Sequence, residues 1–415
     1  MISFKKFTLN NGLKVIVHSD KSMPVVAFNL LYNVGAKHEW PNRTGFAHLF
    51  EHLMFGGSVN IPNYDEPVEQ AGGENNAFTS NDITNYFLTL PKKNLETAFW
   101  IESDRMLGLA FSQKSLDVQK NVVIEEFNQR YLNLPYGDIW LLLRPLAYKV
   151  HPYQWPTIGK TPEHIANATL NEVKEFFYRH YAPNNAILCV AGDVSADEVL
   201  RMAEKWFGSI PYRELNGKAI EKEPPQTEKR TLEVTRRVPY NSIYKAYHMC
   251  SRTHNDFAAT DLISDILSNG KSSRLFQNLV KQKGIFSNID AFITGDNDEG
   301  LFVINGRLND NYTFEHAEKA INNEIDRIKT EPVSDYEMDK VKNKFESNFT
   351  FGLTSANEKA LNLCQYELLG DANLLNSVVK NYRMVTSTDI QRVAKTILND
   401  TNCSTLYYKA ENTNQ

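Results

Sequence analysis

The sequence predicts an α+β protein of two homologous halves, each an antiparallel or mixed sheet packed with helices, joined by a linker. Three observations point there. Short β-rich runs alternate with long amphipathic segments. Residues 216–230 are charged, contain Pro224-Pro225 and lack an apolar rhythm. After that stretch the order of elements starts again. The chain has 415 residues, more than one ordinary core needs.

Residues 13–17 and 25–32 read as strands. A helix follows Gly45 and runs to about Phe55, where Gly56-Gly57 stop it. Gly72-Gly73 break the chain before a strand pair at 76–79 and 83–90. Amphipathic segments come next, at about 93–110 and 114–132. After Pro183, residues 186–191 form a short apolar strand ended by Gly192, and a helix at about 196–208 closes the half. Beyond the linker, Ser242–Met249 is the counterpart of the strand at 25–32, and Thr260–Leu267 falls where the first half has its helix after Gly45. Helices at about 312–329, 333–351 and 354–368 and a strand near 403–409 complete the repeat. The expected division is 1–215, a linker at 216–230, and 231–415.

Composition excludes several classes. Hydrophobic content of 42% and charged content of 23% are those of an ordinary globular chain. A net charge of −5 and short basic runs give no case for nucleic acid. Cys189, Cys250, Cys364 and Cys403 form no C-x-x-C pair, and free buried thiols are the better reading. No run approaches the ~18 apolar residues of a membrane span. The first residues lack the apolar core of a signal peptide, so a cytoplasmic location is expected, or a periplasmic one if a leader has been removed.

The chemistry concentrates in His48-Leu49-Phe50-Glu51-His52. Two histidines at i and i+4 lie on one helix face and can close on one metal ion. Glu51 is roughly 60° round the helix from His48, at about 100° per residue, within reach of a water on that metal. This is the H-x-x-E-H pattern. A catalytic zinc needs a third protein ligand and one open position. The candidate lies in Asn121–Phe127, where two acids adjoin. Leu116, Val123, Phe127 and Tyr131 mark the buried face. Glu125 points away from that face and Glu126 sits on its flank, so Glu126 is the expected ligand. Glu51 would then be the general base, not a ligand. A lone His is ordinarily only a His, and Glu-Glu on a helix is most often a solvated face; the motif stands out because the residues occur together.

With that set in place, the chain resembles the pitrilysin/insulysin family of zinc peptidases. The nearer branch is the short-subunit one that includes mitochondrial processing peptidase and its bacterial relatives. The resemblance rests on Gly45–Phe55, on Gly72-Gly73 with Asn76-Ala77-Phe78-Thr79, and on Asp82, Thr84 and Tyr86. Pro91, Asp104-Arg105-Met106, Pro135-Tyr136-Gly137, His151-Pro152 and Ala191-Gly192-Asp193-Val194 extend it over nearly the whole chain. It implies Zn2+ held by His48, His52 and Glu126, with Glu51 as base. It implies that Asn76, Ala77 and Phe78 pair with the backbone of a peptide substrate by strand addition. It also implies that the chain is one half-shell of a clamshell and works as a dimer.

The second half departs from the family pattern. Where self-sufficient members carry an Arg and a Tyr, Lys283 and Ser287 stand here. Lysine cannot reproduce a bidentate guanidinium fork, and serine has neither the ring nor the reach of tyrosine. The expectation is a zinc-carrying subunit whose partner, a second homologous chain, supplies the Arg–Tyr pair, with a homodimer as the alternative. A non-catalytic structural subunit and a peptide-binding shell with a vestigial metal are the competing readings.

Overall fold

A computed structural model describes residues 1–22, 24–215 and 219–411. Residues 216–218 of the expected linker lie outside the described residues. Contacts divide the chain into two units. One comprises Met1–Arg130, Trp155–Ile220 and Thr350–Ser377; the other comprises Tyr131–Gln154, Glu221–Phe349 and Val378–Gln415.

The first unit is built on a six-stranded sheet: β1 (Lys5–Thr8), β2 (Lys14–Ser19), β3 (Val25–Tyr32), β4 (Glu74–Thr79), β5 (Thr84–Pro91) and β6 (Ala186–Gly192). The order is β1-β2-β6-β3-β5-β4, with β2 and β6 parallel and the other neighbours antiparallel. β6, Ala-Ile-Leu-Cys-Val-Ala-Gly, is buried along its whole length, as its unbroken apolar run requires of a central strand. β4 is an edge strand. The helices Phe46–Leu53, Leu95–Leu107, Gln113–Phe127, Leu170–His180 and Ala196–Phe207 belong to this unit.

The second unit carries five strands: β7 (Arg230–Arg236), β8 (Ser242–His248), β9 (Phe286–Ile293), β10 (Leu301–Leu308) and β11 (Cys403–Ala410). Their order is β7-β11-β8-β10-β9, again with one parallel pair, β7 with β11, at one side. This is the order and pairing sense of β2-β6-β3-β5-β4, so the repeat read from the sequence is a repeat of sheet topology. β7 begins inside the stretch read as linker. Its burial alternates between exposed and half-buried, as befits an edge strand, and its charged residues disguise it.

The expected spans 1–215 and 231–415 follow the repeat in chain order, and the contact units differ from them by an exchange of helices. Ile139–Ala147, from the first half of the chain, packs on β7, β11 and β8. Leu143, Ala147, Tyr148 and Tyr153 share a core there with Ala246, Val303 and Leu406. Tyr408 donates to Asp138 Oδ1 (2.6 Å), and Arg236 pairs with Asp138 Oδ2 (2.9 Å). Reciprocally, Ala356–Leu368, from the second half, packs on β2, β3 and β6. It is tied there by Lys359 to Asp20 (2.7 Å), by Lys6 and Lys14 to Glu367 (2.8 and 3.1 Å), and by Asn357 to Thr89 (2.7 Å).

All four cysteines are free; Cys189, Cys364 and Cys403 are buried and Cys250 is half-buried at the end of β8. No described helix is long and apolar enough to cross a membrane.

Candidate metal centre

The helix Phe46–Leu53 starts at Gly45, whose φ of +90° is a left-handed conformation that favours glycine. A Cβ there would meet the Ile158 carbonyl oxygen at 2.7 Å. Gly45 cannot cap with a side chain, so a distant residue does. Glu39, buried, accepts from the amides of Gly45 and Ala47 (2.8 Å each) and from the Trp155 indole N–H (3.1 Å). Orphan amides at a helix start need such an acceptor. Burial pushes the Glu39 carboxyl up to about 8, against the pull of those donors. Phe46, Leu49, Phe50 and Leu53 face the core, which turns His48, Glu51 and His52 to the other side.

The third component comes from Gln113–Phe127. Ser112 caps that helix by accepting the Ser115 amide. Leu116, Val123 and Phe127 are buried; Glu125 is exposed and Glu126 half-buried. His48 Nε2 lies 3.1 Å and His52 Nε2 3.6 Å from Glu126 Oε2. Among the described residues, His48, His52 and Glu126 are the one group of three or more such side chains whose ligand atoms converge, all within 4.8 Å. Two ligands on a tetrahedral zinc, each ~2.0–2.1 Å from it, stand about 3.3 Å apart. The 3.1 and 3.6 Å separations from Glu126 bracket that spacing and all three ligand atoms lie within 4.8 Å of one another, so the set is of the kind that can close on zinc.

Electrostatics match the grouping. Burial opposes the charge on His48, but its hydrogen bonds to Glu126 and Glu51 prevail and raise it to about 9 in the metal-free chain. The two histidines hold Glu126 well below the usual carboxylate range. Arg130 pairs with the other oxygen, Glu126 Oε1, at 2.8 Å. Glu51 Oε2 lies 3.6 Å from His48 Nδ1 and accepts a 2.6 Å hydrogen bond from Thr79 Oγ1. Burial raises Glu51, yet these contacts leave its pKa below the ordinary value.

Asn76, Ala77 and Phe78 lie on β4, whose paired neighbour is β5. The Ala77 amide donates to Asn76 Oδ1 (2.8 Å). In the second unit, Lys283 is exposed and its carbonyl accepts from Tyr312; Ser287 is exposed on β9, with Oγ 3.3 Å from the Arg307 carbonyl. Sequence reasoning missed Glu39 and Arg130. Arg130 had a signal, its i+4 spacing from Glu126. Glu39, before the helix and in another element, had none.

A repeated sheet-and-helix unit that carries an H-x-x-E-H helix beside a second carboxylate, the third candidate ligand, defines the class of the inverzincin-type peptidases. Comparison with known proteins gives the family. Residues 14–135 match the profile described as insulinase (peptidase family M16), and residues 167–345 match that described as the peptidase M16 inactive domain. The chain belongs to the M16 peptidase family. It is 32% identical to zinc protease PqqE of Helicobacter pylori over 97% of this chain and 92% of that one. It is 24% identical to the uncharacterised zinc protease YmxG of Bacillus subtilis, over 95% and 96%. Among solved structures, a protease from Helicobacter pylori superposes with a TM-score of 0.92 at 31% identity, covering 99% of this chain and 100% of that one. Pitrilysin gives 0.78 at 17% identity, covering 99% of this chain and 45% of that one, a likeness of fold.

Proposed function

We propose that the chain is the zinc-carrying catalytic subunit of a metalloendopeptidase that hydrolyses peptides or unfolded segments as one member of a heterodimer. The observation that carries this reading is the convergence of His48 Nε2, His52 Nε2 and Glu126 Oε2, with Glu51 beside them. Bound zinc would lower the pKa of a water towards ~7 and polarise the scissile carbonyl. Glu51 takes the water proton and passes it to the leaving amine. Arg130 turns Glu126 so that Oε2 faces the imidazoles. The edge of β4 at Asn76–Phe78 holds an extended peptide by main-chain pairing, which tolerates varied side chains. The partner supplies the Arg and Tyr that Lys283 and Ser287 replace.

Zinc content and cleavage of an unstructured peptide test this, with the chain alone and with the homologous subunit that co-purifies from its native cell. One zinc per chain is expected, with turnover rising strongly when the partner is added. Glu51→Gln should keep the zinc and lose turnover ~10²–10⁴-fold. Full turnover by the chain alone would remove the partner. The description of residues 167–345 as an inactive domain favours a second reading, a peptide-binding shell. One zinc per chain without cleavage, partner present, would select it.

A further inference from the structure

Thr79 is the last residue of β4, one position beyond Asn76–Phe78, and its hydroxyl donates to Glu51 Oε2 at 2.6 Å. The nearer His48 nitrogen lies 3.6 Å from that same oxygen. Glu51 Oε1 accepts no hydrogen bond among the described residues. One carboxylate oxygen is held, and the other is left to take a proton. Glu51 is on the helix Phe46–Leu53 and Thr79 on the edge strand, so the bond joins the element of the base to the element of the substrate strand. A β-branched side chain in a strand has a stiff χ1, which presents the hydroxyl in one direction. Side-chain amides and longer polar residues at this position would bring rotamer freedom instead.

We infer that Thr79 is a positioning residue: it fixes the Glu51 carboxylate with Oε1 turned to receive the water proton, and it ties that orientation to β4. The inference rests on the proposed role of Glu51 as base.

The test uses Thr79→Val, which keeps the shape and removes the hydroxyl, and Thr79→Ser, which keeps the hydroxyl. In the zinc-loaded protein with its partner, Thr79→Val should lose ~10–100-fold in kcat with KM within twofold and zinc unchanged at one per chain. Thr79→Ser should recover most of that loss. A readout without turnover accompanies it: crystal structures of metal-free wild type and Thr79→Val, in which the Glu51 carboxylate should rotate away from its wild-type position. An unmoved carboxylate, an unchanged kcat, or a Thr79→Ser variant no better than Thr79→Val would each overturn the inference. If Glu51→Gln retains turnover, the role of Glu51 as base fails instead, and the crystal structures still decide whether Thr79 orients it.

Discussion

At the scale of single residues, the metal-free site is a proton-holding cluster. His48 is raised to about 9 by Glu126 and Glu51, although burial opposes the charge. A zinc ligand must be a neutral imidazole, so binding displaces that proton at any pH below about 9. Zinc affinity should therefore rise roughly tenfold per pH unit between pH 6.5 and 8.5. Competition titrations with a chelator across that range check this, and a flat profile would contradict it. Glu39 acts from further away. Glu39→Ala leaves the Gly45 and Ala47 amides without their side-chain acceptor, while the Trp155 indole keeps its bond to the Ala36 carbonyl, at a cost of ~2–4 kcal/mol. Urea unfolding would read the loss, with weaker zinc binding as the helix start frays. The sequence disclosed which side chains meet, because helix phase alone sets His48, Glu51 and His52 on one side and separates Glu126 from Glu125. What holds them was not legible. Glu39 and Thr79 reach the site from other elements, at spacings that follow from the tertiary fold.

Elements show the same division. The strands at 25–32, 83–90 and 186–191 and the helix at 46–53 were legible from apolar runs and glycine punctuation. β7 was hidden by its charge, and the segment at 114–132 was read as one helix. Its α-helical part ends at Phe127, one residue after Glu126, and a wider π-turn follows over Asn128–Leu132. Asp104-Arg105-Met106, quoted for resemblance, proves to be scaffolding. Asp104 accepts from Ser58 and from Asn60 and so holds the loop after the motif helix. Arg105, buried, makes a bidentate pair with Glu102 (2.6 and 2.7 Å), and its guanidinium lies over Tyr86 (4.2 Å) and Tyr64 (4.5 Å). Arg105→Ala strands a buried carboxylate and should cost ~3–5 kcal/mol, measurable by urea unfolding. In the second unit, Glu318 accepts from Lys229, Lys245 and Tyr407. Burial raises Glu318, but these donors win and bring it down to about 2. A carboxyl depressed in the folded state stabilises above its unfolded pKa, near 4.5, and that stability is lost as pH falls towards 2. Glu318→Gln should lower stability at pH 7, leave the buried Lys245 unpaired, and flatten the acid limb between pH 4.5 and 2. An unchanged acid limb would count against the pairing.

For the whole molecule, the exchange of Ile139–Ala147 and Ala356–Leu368 decides how the chain can be divided. A fragment ending at residue 215 lacks the helix that covers β2, β3 and β6, and one starting at 231 lacks the helix that covers β7, β8 and β11. Each uncovered face exposes apolar sheet surface. Each fragment alone should be insoluble or bind a hydrophobic dye strongly, while co-expression of both should restore a soluble assembly; soluble, dye-silent single fragments would contradict this. A half that lends its helix away is satisfied by a copy that lends one back, which is the logic of a domain-swapped pair carried out within one chain.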